Sequence, residues 1–246
     1  MNLLKKSCLK NNSQMITKEA IILAGGLGTR LQSVLPGIPK CMAPIHGKPF
    51  LAYVLDYLIT QEISKVILSV GYRKDQIIDY FGDMYCPLKI EYAIESQQLG
   101  TGGAVKLALD QCMQENVFIL NGDTYFIPEL QSIEKLHFQS KADITIATKH
   151  FAKTDRFGLV QTDTEGWITD FRKKDSKSGS GWINGGIYLI KKQVFENLPE
   201  GKFSLENDVF KESCSRFKIK AYQTDADFLD IGIPEDYAKA QIMIKR

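Results

Sequence analysis

The feature that most constrains this chain is the alternation, over its first 120 residues, of short β-like runs with longer runs of helical spacing. The β-like runs are Ala20–Leu23, Lys65–Val70 (KVILSV), Lys89–Ile94 and Val117–Leu120, of which Ala20–Leu23 is wholly apolar and Lys65–Val70 is of the buried type. Such strands are buried on both faces, as in a parallel sheet covered by helices. Between them, Pro49–Thr60, Arg73–Phe81 and Gly103–Met113 read as helices, with Pro49 suited to a first turn and Gly82 to a stop. After residue 140 the rhythm changes to β-like segments at Asp143–Lys149, Gly158–Thr162, Trp167–Phe171 and Trp182–Ile190. Helices near Ser204–Cys214 and Pro234–Lys245 then flank a strand near Phe217–Gln223. The expected class is α/β, a three-layer αβα arrangement around a mostly parallel mixed sheet. The second half is expected to supply a partly antiparallel lid.

A length of 246 residues suits one large α/β domain. No repeat or linker divides it, so residues 15–246 are expected to form a single domain, with residues 1–14 a disordered leader. The segment Lys174–Gly181 (KDSKSGSG) reads as a flexible loop. A net charge of +2 argues against a dedicated nucleic-acid binder. The five cysteines (Cys8, Cys41, Cys86, Cys112, Cys214) and three histidines (His46, His137, His150) show no metal or disulfide spacing. Buried, inert thiols in a reducing cytoplasm are expected. No apolar run is long enough to span a bilayer, and the first residues lack the apolar core of a signal peptide.

Directly after the first strand comes LAGGLGTRL, Leu23 to Leu31. Glycines at 25, 26 and 28 allow a tight turn and close approach to a phosphate. The dinucleotide fingerprint fails because Gly26 and Gly28 are followed by Leu31, and the P-loop pattern fails because no lysine follows the glycines. A purely structural turn remains as the alternative. Arg30 beside the turn, and Lys40 after Pro-Gly-Ile-Pro, favour a phosphate site: arginine clamps two oxygens, lysine supplies a movable charge.

LAGGLGTRL followed by PKCMAPIHGKPFLAYVL resembles the opening signature of the sugar-1-phosphate nucleotidyltransferases. QQLGTGGAV at Gln97, NGDTYF at Asn121, FGLV at Phe157, NGGIYLI at Asn184, FSLENDVF at Phe203 and FLDIGIPEDY at Phe228 follow in the family's order, so the resemblance runs from about Ala20 to Tyr237. It implies that family's Rossmann-like fold, with a nucleoside triphosphate and a sugar 1-phosphate as substrates and Mg²⁺ as cofactor. Within the family, the LAGGLGTRL, LPGIPKCMAPIHGKPF and NGGIYLI segments look most similar to the D-glycero-α-D-manno-heptose 1-phosphate guanylyltransferases of surface-polysaccharide synthesis, which implies GTP as donor. UTP-using relatives share most of these motifs. Members often assemble as dimers or tetramers, which leaves a homo-oligomer open.

The resemblance also assigns roles. Asp123 follows the apolar strand VFIL, and Asp230 precedes Ile231-Gly232; both would hold Mg²⁺, an ion that takes oxygen ligands and keeps phosphate oxygens in its shell. Leu23, Ala24, Gly25, Gly26, Gly28 and Thr29 would surround the nucleotide, with Gly100, Thr101 and the cations Arg30 and Lys40. Glu95, Gln97 and Gln98 are candidates for reading the base, among them Gln98 on the nucleotide side; the sequence does not choose. Gly158, Asn184 and Glu206 would meet the sugar, and Lys174 its phosphate. The chain departs from the family at Lys173, where a glutamate is usual.

No convincing catalytic histidine is present, and none is needed if an anionic phosphate oxygen is the nucleophile. Two other classes compete. A glycosyltransferase would place a second acid after Asp123, where this chain has Thr124-Tyr125. A non-catalytic nucleotide module would not need both carboxylates and both cations.

Overall fold

The architecture is that of a computed structural model, which describes residues 15–26, 28–154, 158–172, 179–212 and 216–244. The chain enters on β1 (Glu19–Leu23), turns back through the short pair β2 (Pro44–Ile45) and β3 (Lys48–Pro49), and continues into α1 (Phe50–Thr60) and β4 (Lys65–Val70). Next come α2 (Lys74–Phe81), β5 (Met84–Tyr85), β6 (Leu88–Ile94), α3 (Gly100–Leu109), β7 (Asn116–Asn121), β8 (Thr124–Phe126) and α4 (Leu130–Ser140). The remainder is β9 (Ile144–Phe151), β10 (Leu159–Thr162), β11 (Ile168–Arg172), β12 (Gly181–Lys191), a π-helical turn over Leu205–Lys211, β13 (Ile219–Thr224), β14 (Phe228–Asp230) and α5 (Pro234–Met243).

Ten of these strands form one mixed sheet. β6, β4, β1 and β7 lie side by side and parallel, with Ile21 level with Ile67 on one side and Ile119 on the other. β12 then joins β7 antiparallel and carries β9 and β10 along its length. The antiparallel part anticipated as a lid is therefore continuous with the central sheet.

The wholly apolar strands bury both faces. Ala20 and Ile22 belong to a core shared with α1, α2 and α4, whereas Ile21 points to the opposite core, packed under α3 and the π-helical turn. That division makes three layers. On α1, Phe50, Leu51, Leu55 and Leu58 are fully buried; truncating any one of them costs about 2–5 kcal/mol.

Three elements differ from the sequence reading. α3 begins at Gly100 and ends at Leu109, three residues earlier than its spacing predicts at the start. The segment Ser204–Cys214 is helical only over Leu205–Lys211, capped by the Ser204 hydroxyl, with residues 213–215 outside the described residues. α4 was not anticipated. Its buried stripe is Leu130, Ile133, Glu134 and His137, a helical spacing half made of polar residues. The expectations for the leader 1–14 and for most of the loop 174–181 fall outside the described residues.

Candidate active site

The parallel strands β6, β4, β1 and β7 end on the same side of the sheet, where open α/β folds leave a crevice for ligands. Asp123 sits two residues past β7, and Asp230 is the last residue of β14. The small antiparallel ribbon of β8 and β14 sets Asp230 opposite Thr124, so the two carboxylates converge although 107 positions separate them. Lys40 rises between them from a single 3₁₀ turn, Lys40–Met42, that the buried Cys41 anchors under the site.

Lys40 Nζ donates to Asp123 Oδ2 at 2.6 Å and to Asp230 Oδ1 at 3.0 Å. Burial alone would lower the Lys40 pKa, but the two carboxylates outweigh it and raise the value above the ordinary lysine range. The ammonium is thus held charged. Burial pushes the Cys41 thiol up to about 12, which leaves it an inert packing group.

The glycine-rich loop borders a cleft of about 540 Å³ that Lys40 and Asp123 also line, whereas Asp230 does not line it. Gly28 adopts φ +57°, and a Cβ there would lie 2.8 Å from Lys40 Cβ, so only glycine lets the loop pass the lysine. Leu23, Ala24, Gly25, Gly26, Gly28, Thr29, Arg30 and Lys40 all border the cleft, as do Gln98, Gly100, Thr101 and Asp123. Arg30 is exposed and has no carboxylate partner among the described residues. Of the three candidates for reading a base, Glu95 and Gln98 reach the cleft and Gln97 does not. Glu95 is partly committed: its Oε2 accepts from the Leu99 N–H at 3.0 Å.

A second cleft of about 230 Å³ adjoins the first and takes in Gly158, Asn184 and Glu206. Glu206 borders both. The Asn184 side chain is occupied locally: its Oδ1 accepts from Gly186 N at 2.9 Å and its Nδ2 donates to the buried Tyr188 hydroxyl at 3.0 Å. These bonds stabilise the register shift of β12 between Asn184 and Ile187. Lys173 and Lys174 lie outside the described residues.

Several site residues escaped the sequence reading. Lys202, Asn121 and Gly232 border the larger cleft, and Arg172, Asn207 and Lys211 the smaller. Lys202 follows a glycine in an exposed turn, where lysine is ordinarily a solvated residue; no local signal marks it. Lys211 was findable only as the position one helical turn beyond Asn207.

The histidines stay out of both clefts. His137 is fully buried on the inner side of α4, and His150 meets the Trp182 ring edge-on. Cys41 and Cys112 are buried as anticipated, but Cys86 is exposed, because it sits at the tip of the β5–β6 turn.

Among the described residues no three His, Cys, Asp or Glu side chains gather closely enough to hold a metal ion alone. Asp123 and Asp230 nevertheless suit Mg²⁺: they are oxygen donors already arranged around one positive charge, the Lys40 ammonium. Asp123 Oδ1 and Asp230 Oδ2 are not engaged by that lysine. A two-carboxylate site completed by phosphate oxygens is the arrangement Mg²⁺ prefers.

Comparison with known proteins identifies the family. Residues 19–246 match the family described as nucleotidyl transferase. The chain is 47% identical over 225 residues to a D-glycero-α-D-manno-heptose 1-phosphate guanylyltransferase of Aneurinibacillus thermoaerophilus, covering 91% of this chain and 96% of that protein. It is 42% identical over 220 residues to one of the same description from Campylobacter jejuni, covering 89% and 96%. The crystal structure of HddC from Yersinia pseudotuberculosis complexed with GMP-PN superposes with a TM-score of 0.83 at 37% identity, covering 93% of this chain and all of that one. A carboxylate–lysine–carboxylate trio at the strand ends, a glycine loop above it and a match of this extent make the chain a member of the nucleotidyl transferase family.

Proposed function

We propose that this chain transfers GMP from GTP to D-glycero-α-D-manno-heptose 1-phosphate, giving the GDP-heptose and pyrophosphate. The observation that carries this reading is the Lys40 ammonium held between Asp123 and Asp230 at the floor of the larger cleft, with a smaller polar cleft sharing Glu206 beside it. The choice of base and sugar rests on the likeness to the two heptose 1-phosphate guanylyltransferases over nearly their whole length.

The chemistry follows from charge and position. An anionic oxygen of the sugar phosphate attacks the α-phosphorus of GTP in line; the new O–P bond forms as the bond to the pyrophosphate oxygen breaks. The nucleophile carries its charge at neutral pH, so no side chain need remove a proton. Lys40, kept charged by its two carboxylates, sits where negative charge gathers on the α-phosphate. Arg30, exposed and bordering the larger cleft, takes the departing pyrophosphate. Gly25, Gly26, Gly28 and Thr29 line the phosphates, Gln98 and Gly100 the base and ribose, and Glu206 with Gly158 the sugar hydroxyls. Lys174 is assigned the sugar phosphate. Asp123 and Asp230 would hold Mg²⁺, which supplies neutralisation of phosphate charge when bound. The rate gain then comes from positioning and preorganised charge.

Pyrophosphate release is the test, with GTP, UTP, CTP, ATP and dTTP each offered against a panel of sugar 1-phosphates that includes manno-heptose and mannose, with and without Mg²⁺. Turnover confined to GTP with the heptose phosphate supports the whole reading. Turnover with UTP and a glucose-type sugar would keep the reaction and replace the substrates. Folded, nucleotide-binding protein that turns over no pair would overturn the reading.

A further inference from the structure

In the glycine-rich segment Leu99–Gly103, the resemblance assigns Gly100 and Thr101 to the nucleotide. Their immediate neighbour in the structure is the chain around Phe203. A Cβ at Gly100 would lie 2.5 Å from the Phe203 carbonyl oxygen, and one at Gly102 only 2.3 Å from the Phe203 ring. The backbones are joined in both directions: Phe203 N donates to Leu99 O at 3.0 Å, and Gly102 N to Phe203 O at 3.0 Å. The first turn of α3 is thus docked onto the strand-like approach to the π-helical turn.

The Thr101 hydroxyl is the side-chain part of this dock. It accepts from Leu205 N at 2.9 Å and donates to Glu206 Oε2 at 2.8 Å. The Ser204 hydroxyl donates to the same oxygen at 3.0 Å. Both partners fall on Oε2, so Oε1 has no hydrogen-bond partner among the described residues. The carboxylate is therefore fixed by one oxygen and presents the other, and it borders both clefts. With its proton given to Glu206 and one of its two lone pairs taken by Leu205 N–H, this hydroxyl has no proton left to donate to a nucleotide.

We infer that Thr101, although it borders the nucleotide cleft, is a positioning residue for the sugar: it clamps Glu206 so that Oε1 is presented to a hydroxyl of the sugar 1-phosphate. The inference rests on the proposed transferase reading for the identity of the sugar ligand, and reassigns Thr101 from the nucleotide to the acceptor.

The test compares Thr101→Val, nearly the same shape without the hydroxyl, with Thr101→Ser, which keeps it. GTP affinity is measured by direct titration, and KM for the sugar 1-phosphate and kcat by pyrophosphate release. Thr101→Val is expected to bind GTP within about twofold of wild type while its sugar-phosphate KM rises about tenfold, the loss of one charge-assisted hydrogen bond. Thr101→Ser should return that KM to within about threefold. Glu206→Gln should raise the same KM, and adding Thr101→Val to it should raise it little further, since both act on one contact. Thermal unfolding of each variant separates loss of fold from loss of the clamp; should Thr101→Val unfold, Ser204→Ala, which removes the second donor to Oε2, carries the same expectation. A GTP affinity weakened tenfold in Thr101→Val would overturn the inference, as would an unchanged sugar-phosphate KM. An inactive wild type would sink the transferase reading instead, and the GTP titration would still decide whether Thr101 is a nucleotide contact.

Discussion

Replacing Lys40 by methionine probes the centre of the site, because it keeps an unbranched stem and removes only the charge. Asp123 Oδ2 and Asp230 Oδ1 lie 2.6 and 3.0 Å from one nitrogen, so they are no more than about 5.6 Å apart. At an effective dielectric of ~20, two unit charges at that distance repel by about 3 kcal/mol. The Asp123 side chain is 38% exposed, and solvent screening reduces the figure to about 1–2 kcal/mol. Lys40→Met should therefore lose about 1–2 kcal/mol of folding stability in urea, measured without divalent ions. Millimolar Mg²⁺ should restore most of it, since a cation between the carboxylates replaces the missing ammonium, and should stabilise the wild type less. Under the proposed role of Lys40, pyrophosphate release should fall at least ~10²-fold, because a bound ion would not reproduce a lysine aimed at the α-phosphate. A variant turning over within tenfold of wild type would refute the assigned role. Stability equal to wild type and indifferent to Mg²⁺ would refute the electrostatic picture of the trio.

Three other expectations follow from different parts of the molecule. Asp230→Asn should retain its far-UV circular dichroism and lose at least ~10²-fold in turnover; near-normal kcat removes Asp230 from the mechanism. His137 is fully buried, and burial, with Lys191 adding to it, lowers its pKa to about 4 against an ordinary 6.5. The folded state keeps it neutral while the unfolded chain takes up a proton, so its contribution is whole above pH 6.5 and drains away as pH falls toward 4. Wild type should accordingly lose about 2–3 kcal/mol more than His137→Gln between pH 7.5 and pH 4.5 in urea titrations, and parallel curves would contradict the assignment. Gly102→Ala should destabilise by about 1–3 kcal/mol through its clash with the Phe203 ring, and Phe203→Leu added to it should recover part of the loss; strict additivity would show that the two do not touch.

The parallel half of the sheet was legible because both faces of β1, β4 and β7 are apolar, and runs such as KVILSV have few other places to go. α4 was not, since two of the four residues on its buried stripe are Glu134 and His137. Their burial is possible only through partners distant in sequence: Ile16 and Thr17 donate their N–H groups to Glu134, and Asn116 and Thr145 hold the His137 ring. The start of α3 was misplaced for a related reason. Glycines weaken a helix locally, and only the close approach of Gly201 and Phe203, a hundred residues later, explains why they are needed inside its first turn. At the site, Lys40, Asp123 and Asp230 stood out by motif, and the structure brings them together. What motif reading missed was Glu206's tie to Thr101 and the presence of Lys202, since neither leaves a mark on its own stretch of chain.

The common wall formed by Glu206 bears on inhibitor design. Two small fragments, one seated in each cleft, would end next to each other with a single carboxylate between them. A short tether would therefore join them, and a tether of that kind holds the second fragment at an effective concentration in the millimolar range or above. Weak fragments found separately for either cleft thus become candidates for a tight linked compound, with the carboxylate as the natural place to aim a hydrogen-bond donor in the tether.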